Sequence, residues 1–310
     1  MGLFSRSGAA RVSVAPEVVR PRQTVTVTVT TDKPLDDVGS ARLEWGYDNF
    51  YRYHWAGRAD SAAAAGNDSP LTADEVGTTD EVGTTYGGER DADDWVCVDR
   101  VDVPIAASEF AGTTATFKVP SWAPGSSPQL ARWRCRLVVE RGGRDVDTRG
   151  DFTVVIGTAD VDPVEAVVQP MERIWGDGAT VIDIDVPSPV YRAGETISGQ
   201  VVLRPQQDLP TGDVAVYWQR HREHHPLGRH PAQGGALDGR IVQLDKEIPL
   251  QAGAHIVLPF ALPLPPDAAP SGEAVHSSLS WFVAVRMLYS GFTAHQVERV
   301  RRPIVVVNAP

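Results

Sequence analysis

The segment Thr24-Val-Thr-Val-Thr-Val-Thr30 alternates polar and apolar β-branched residues without a break. Successive side chains of a strand point to opposite faces, so this run places its valines on one face and its threonines on the other. That is the pattern of a half-buried strand in an antiparallel sheet, whereas a helix would scatter the same valines around its circumference. The theme recurs along the chain. Asp151-Phe-Thr-Val-Val-Ile156, Gly199-Gln-Val-Val-Leu203, Asp213-Val-Ala-Val-Tyr-Trp218, His255-Ile-Val-Leu258, Ser280-Trp-Phe-Val-Ala-Val285 and Pro303-Ile-Val-Val-Val307 all read as short strands separated by Gly- and Pro-bearing breaks. The one helical candidate, Val164-Glu-Ala-Val-Val-Gln169, is too short to build a layer. Many short strands without alternating helices predict antiparallel sandwiches and not a parallel sheet.

The chain also repeats itself. Ser13-Val-Ala-Pro-Glu-Val-Val-Arg-Pro-Arg-Gln-Thr-Val-Thr-Val-Thr-Val29 aligns, 172 residues later, with the stretch from Asp185 to Val201, through the identities Val14/Val186, Val18/Val190, Arg20/Arg192, Thr24/Thr196 and Val29/Val201. A second pair follows in the same order. Phe117-Lys-Val-Pro120, a Pro/Ser/Gly loop and Arg132-Trp-Arg-Cys-Arg-Leu-Val138 answer Phe260-Ala-Leu-Pro263, a longer Pro-rich loop and Ser280-Trp-Phe-Val-Ala-Val285. At 310 residues the chain has room for two domains. Two related sandwiches explain the repeat, at residues 11–157 and 181–308, with a tail at 1–10 and a linker at 158–180 carrying Asp160, Asp162, Pro163, Pro170, Gly176 and Gly178.

Charge is unevenly spread. Residues 57–94 hold ten Asp or Glu against Arg58 and Arg90, a net of −8 out of −11 for the whole chain. The stretch contains a tandem hexapeptide, Asp74-Glu-Val-Gly-Thr-Thr79 followed by Asp80-Glu-Val-Gly-Thr-Thr85, and few large apolar residues. Such a segment cannot offset its ordering entropy by burial, so it reads as an acidic insertion, mobile in the free protein. It is either a tolerated expansion or a docking segment for a basic partner. A net charge of −11 without basic clusters argues against nucleic acid. No apolar run approaches the roughly 18–20 residues of a membrane span, and the start has no signal-peptide core. Two cysteines make no disulfide framework, so a cytoplasmic protein with reduced thiols is expected.

In the second half, Tyr191-Arg-Ala-Gly-Glu-Thr-Ile-Ser-Gly-Gln-Val-Val-Leu203 resembles the early strand-turn-strand of arrestin-like domains. Leu258-Pro-Phe-Ala-Leu-Pro-Leu-Pro265, Ala269-Pro-Ser-Gly272 and the Trp281 strand resemble that family's Pro-rich crossing and the aromatic strand after it. Proline suits such a crossing because no backbone donor is wanted there. Among bacterial forms the chain is similar to the sporulation-control type of arrestin-like protein. The resemblance implies an all-β fold of two tandem arrestin-like, immunoglobulin-type β-sandwich domains, and a non-catalytic adaptor. No Pro-Pro-x-Tyr motif is present, and the first lysine is Lys33, so ubiquitin-ligase recruitment and phosphoreceptor recognition do not carry over.

Few constellations could carry chemistry. His221-Arg-Glu-His-His-Pro-Leu-Gly-Arg-His230 gathers His221, Glu223, His224, His225 and His230, ligand types for zinc or nickel, but not at the spacing of a helix-borne His-Glu-x-x-His site. The plain alternative is a polar hairpin loop; if the preceding strand continues, His221 and Glu223 share one face. Cys97 and Cys135 read as buried free thiols in strands. Asp91-Ala-Asp-Asp94 lacks the spacing and glycine turn of an EF-hand loop. No phosphate loop and no Gly-x-Ser-x-Gly elbow occur. The segment from Trp45 to Trp55 is dense in aromatics, with Tyr51, Tyr53 and Trp55 alternating. It either packs the first core or forms an exposed platform beside the insertion, since Tyr and Trp are favoured interface anchors.

The sequence therefore predicts a cytoplasmic scaffold or regulatory adaptor without cofactors. It would bind other proteins, basic surfaces among them, through Tyr51, Tyr53, Trp55, Asp74, Glu75, Asp80, Glu81, Asp91, Asp93 and Asp94. The competing readings are a metal-binding protein built on residues 221–230 and a carbohydrate-binding sandwich using the aromatics.

Overall fold

The computed structural model describes residues 10–55, 88–291 and 297–309. Among the described residues the chain is all-β, with one short 3-10 turn at Thr158–Asp160 and no α-helix. Among the described residues no helix is long and apolar enough to cross a membrane.

The first half contains strands β1 (Ala10–Ala15), β2 (Val18–Val19), β3 (Thr24–Leu35), β4 (Val38–Trp55), β5 (Gly88–Asp102), β6 (Phe110–Lys118), β7 (Ala131–Arg141), β8 (Val146–Asp151) and β9 (Thr153–Val154). They form a β1-β3-β6 sheet, a β5-β4-β7-β8 sheet and a small parallel β2-β9 pair. The second half contains β10 (Glu172–Trp175), β11 (Thr180–Asp185), β12 (Val190–Arg192), β13 (Thr196–Pro205), β14 (Leu209–His224), β15 (Gly235–Asp238), β16 (Val242–Leu250), β17 (Ile256–Pro263), β18 (Gly272–Glu273), β19 (Ser277–Tyr289) and β20 (Val297–Val307). Here a β11-β13-β17 sheet accompanies a larger one ordered β10-β20-β19-β14-β15, with β16 also on β14 and β12 parallel to β20.

Each half buries its own core, fed by both of its main sheets. Val25, Val27 and Val29 of β3 face Trp133, Cys135 and Leu137 of β7, within one cluster; Ile182, Val201 and Leu203 share another with Trp281, Val283 and Val285. In β7 the alternation is strict: Trp133, Cys135, Leu137 and Val139 are fully buried, while Arg134 and Arg136 on the other face pair with Asp151 and Asp147. This is the inward-apolar, outward-polar division of a sandwich-like sheet.

The sequence repeat is a repeat of strand pairing. Val12 stands opposite Val29, and Ile184, 172 residues on, stands opposite Val201, 172 residues on from Val29. Val18 and Val190 each open a short strand running parallel to the last strand of their half. The second alignment is displaced by two residues. Val25 pairs Phe117, while its counterpart Ile197 pairs Leu262 and not Phe260. A shift of two keeps the same face inward. Trp133 donates its indole N–H to the carbonyl of Pro124 (2.8 Å) and Trp281 to that of Ala269 (3.0 Å), so both Pro-rich loops are tied to the aromatic strand that follows them. Gly199 of β13 lets its strand fit between β11 and β17 of the same sheet: a Cβ there would lie 2.3 Å from the Asp185 carbonyl and 2.7 Å from the Phe260 ring.

Three features differ from the sequence expectation. Residues 88–94 do not belong to an unpaired insertion but open β5, which pairs with β4 from Trp55↔Gly88 onward; backbone pairing outweighs their like charge. The linker is partly structural, because β10 joins β20 and Arg173 reaches the buried Glu298 (2.7 Å). Cys97 is exposed, unlike the buried Cys135, because β5 turns that side chain outward. The 164–169 stretch makes a single turn closed by the Ala166 N–H to the Asp162 carbonyl (2.9 Å).

Candidate functional site

The two regions that stood apart in sequence, the aromatic strand and the histidine loop, meet at the junction of the halves. β4 and β14 occupy equivalent places. Trp45 opposes Cys135 and Tyr47 opposes Trp133, just as Trp218 opposes Val283 and Arg220 opposes Trp281. Each strand then runs on past its own core toward the other half.

Asn49 is the centre of the contact. Fully buried, it donates from Nδ2 to the Leu130 carbonyl (2.9 Å) and to Ser277 Oγ (2.9 Å), and its Oδ1 accepts the His276 N–H (2.6 Å). Ser277 Oγ and Arg222 Nη2 both donate to the Phe50 carbonyl, at 2.8 and 3.0 Å. The Arg52 N–H donates to His224 Nδ1 (3.3 Å), and the His54 N–H donates to the His230 carbonyl (2.9 Å). Lower on the seam, Gly125 comes so close to Pro270 that a Cβ would sit 2.6 Å from that ring. Buried polar groups satisfied in this way fix the relative register of the two sheets.

Tyr51 does not form an exposed platform. It is 1% exposed, donates to Asp94 (2.7 Å) and lies against the His276 ring, and burial together with the Asp94 bond pushes its phenol up to about 12. The strand is covered because the 225–232 loop of the other half folds over it. Arg229 lies 4.7 Å above the Tyr53 ring, and Tyr53 bridges Pro231. Trp55 pairs with Gly88 through its backbone. Asp94 faces Arg229 (3.9 Å), Asp91 is paired with Arg52 (3.2 Å), and Asp93 is exposed opposite Phe50. Asp74, Glu75, Asp80 and Glu81 lie outside the described residues.

The histidine loop disperses its ligands. β14 extends through His224, so His221 and Glu223 share one face and Arg222 and His224 the other. His221 packs edge-on against Phe282 beside Arg301, and burial followed by that guanidinium lowers its pKa. His224 is buried, and burial reinforced by Arg222 and Arg52 brings it down to about 4. His225 reaches the Ala274 carbonyl (3.2 Å), and the His230 side chain is exposed. Among the described residues no three His, Cys, Asp or Glu side chains gather as a metal would require.

A surface feature that sequence reading did not single out is a groove of about 610 Å³ between the 165–172 segment and the outer face of β14, β19 and β20. It is lined by Glu165, Glu172, Glu223 and Glu273 together with Leu279 and Val305. Glu172 is held by Arg301 (2.6 Å). Glu165 is raised in pKa by burial and by the nearby Asp162 and Glu273 carboxylates. These glutamates are scattered over more than a hundred residues of sequence, and no local motif marks them. No family model and no curated protein matches this chain.

Proposed function

We propose that this protein is a non-catalytic adaptor of the cytoplasm, built from two tandem arrestin-like sandwiches, that binds basic segments of other proteins. The observation that carries this reading is the groove on the second half. A lining that mixes carboxylates with apolar side chains suits an extended segment that offers Lys or Arg to the glutamates and an aliphatic side chain beside them. Glu165, Glu273 and Asp162 repel one another, and a cationic side chain would relieve that repulsion. Support for the arrestin-like assignment comes from the repeated pairing of the early strands and from the two indole-to-loop hydrogen bonds. The junction supports a scaffold role, because its buried hydrogen bonds hold two sandwich-like halves as one platform. The acidic 57–87 stretch would add long-range attraction for the same partners, fading within about 8 Å at physiological salt.

The test is fluorescence anisotropy with panels of basic, neutral and acidic peptides. It compares the full chain, the Glu165→Gln plus Glu273→Gln variant, and a deletion of residues 57–87. Binding confined to basic peptides, weakened by salt and lost in the double variant, is the expected result. Equal binding of all panels, or full binding by the double variant, overturns the groove reading. A loss confined to the deletion moves recognition to the insertion.

A further inference from the structure

The inner face of β14 carries a second feature, separate from the groove. Arg220, Arg222 and His224 follow one another at every second residue and so share one face of the strand. Their equivalents in β4 are Tyr47, Asn49 and Tyr51, each of which is buried and fully engaged in packing or hydrogen bonding. Where the first half fills this position with rings and an amide, the second half presents two guanidinium groups and an imidazole. They line a cavity of about 210 Å³ together with Arg52 from the first half and Gln233 and Gly235 from the β15 hairpin.

The charges in this cavity are incompletely balanced. Arg52 is paired with Glu89 (2.9 Å) and Asp91 (3.2 Å). Neither Arg220 nor Arg222 has a carboxylate at ion-pair distance among the described residues; the nearest influences are Asp267 on Arg220 and Asp91 on Arg222. Arg220 lies over the Trp281 ring (5.8 Å). Arg222 spends Nη2 on the Phe50 carbonyl (3.0 Å), while its Nε is buried with no hydrogen-bond partner among the described residues. Burial lowers the pKa of both groups, and for Arg222 the neighbouring Arg52 and Arg220 lower it further. His224 accepts the Arg52 N–H at Nδ1, which leaves the proton of the neutral ring on Nε2. A desolvated, unpartnered donor beside like charges is costly in isolation. An oxyanion in the cavity would cancel the repulsion among Arg52, Arg220 and Arg222, the three guanidinium groups that line it.

We propose that this cavity is a binding site for a phosphate-class oxyanion, held by Arg220 and Arg222 of the second half and Arg52 of the first. Guanidinium forks match tetrahedral oxyanions through paired N–H donors, and two of them at alternate strand positions present donors to one ligand from neighbouring directions. The volume accommodates free phosphate, sulfate or the head group of a small phosphomonoester. Because the arginines come from both halves, the bound anion ties the halves together. This inference does not depend on the groove, which uses the opposite face of β14.

The experiment is thermal unfolding and titration calorimetry of the full chain at pH 7.5 and constant ionic strength, with phosphate, sulfate or O-phosphoserine replacing chloride. Arg220→Gln and Arg222→Gln are the site variants and the exposed Arg11→Gln is the control. The expected result is one-to-one binding of phosphate, with Tm rising by about 2–4 °C for each tenfold increase above the dissociation constant. The response should be lost in both site variants and kept in the control. A preference for O-phosphoserine over phosphate identifies a monoester as the ligand, and the reverse identifies the free ion. Arg222→Gln also removes a bond across the junction, so Arg220→Gln, which leaves that bond intact, decides the matter if the first variant folds poorly. Equal shifts with chloride and phosphate, or a phosphate response that survives in Arg220→Gln, overturns the proposal.

Discussion

Replacing Asn49 by Leu tests whether the junction is a fixed part of the fold. The two side chains are similar in size, so the change removes hydrogen bonds without opening a large cavity. Besides a long contact to the Phe50 carbonyl (3.5 Å), three short bonds are lost, and they differ in consequence. The His276 N–H loses the Asn49 Oδ1 acceptor (2.6 Å), and an unsatisfied buried donor costs about 1–3 kcal/mol. The Leu130 carbonyl keeps the Phe50 N–H (2.9 Å), and Ser277 Oγ keeps its own bond to the Phe50 carbonyl (2.8 Å). Those two losses cost about 0.5–1 kcal/mol each. Part of the total is recovered because a leucine sheds less hydration than an amide, which leaves about 2–4 kcal/mol. Urea unfolding of Asn49→Leu, Ser277→Ala and the double variant measures this, together with a coupling of about 0.5–1.5 kcal/mol between the two residues. A cost below about 0.5 kcal/mol with no coupling would refute the account of the seam.

Three further outcomes are expected. His224 has a folded pKa near 4, well below its unfolded value, so its contribution to stability is complete above about pH 6.5 and is lost as pH falls toward 4. The loss is of order 3 kcal/mol, and urea midpoints measured across that window should fall in the wild type and flatten in His224→Gln. Trp133→Phe and Trp281→Phe each orphan one loop carbonyl and should destabilise by a similar amount, about 1–3 kcal/mol; thermal unfolding showing only one of them to matter would contradict the equivalence of the two loops. With a thiol reagent under native conditions, one equivalent should react at the exposed Cys97, while Cys135, whose thiol burial pushes up to about 12, should react only on unfolding.

The groove and the anion cavity illustrate why site residues escape a reading of the chain. Glu165 lies in the linker and Glu273 a hundred residues later, and no local spacing connects them until β18 and the 165–172 segment border the same sheet face. Arg220 and Arg222 were visible beside the histidines, but their significance lies in what is missing around them, namely a carboxylate at pairing distance. The histidines are dense in sequence, but β14 puts His221 and His224 on opposite faces and ends before His225 and His230.

The sequence by itself determined the strands and their faces, because period-2 alternation and β-branched runs are local properties: Val25, Val27 and Val29 point inward as the Thr-Val pattern requires. It also determined the internal repeat, since the residues that set the β1–β3 register recur at the β11–β13 register. Only the tertiary structure decided where the insertion ends, that Tyr51 is buried, and that β4 and β14 meet. Those outcomes depend on pairing between residues far apart in the chain: Asn49 with Ser277, Arg52 with His224, and Asp94 with Arg229. Local propensity carries no information about such distant partners. A charged or aromatic residue at a strand end therefore remains ambiguous between surface and seam until the fold supplies, or withholds, its neighbour.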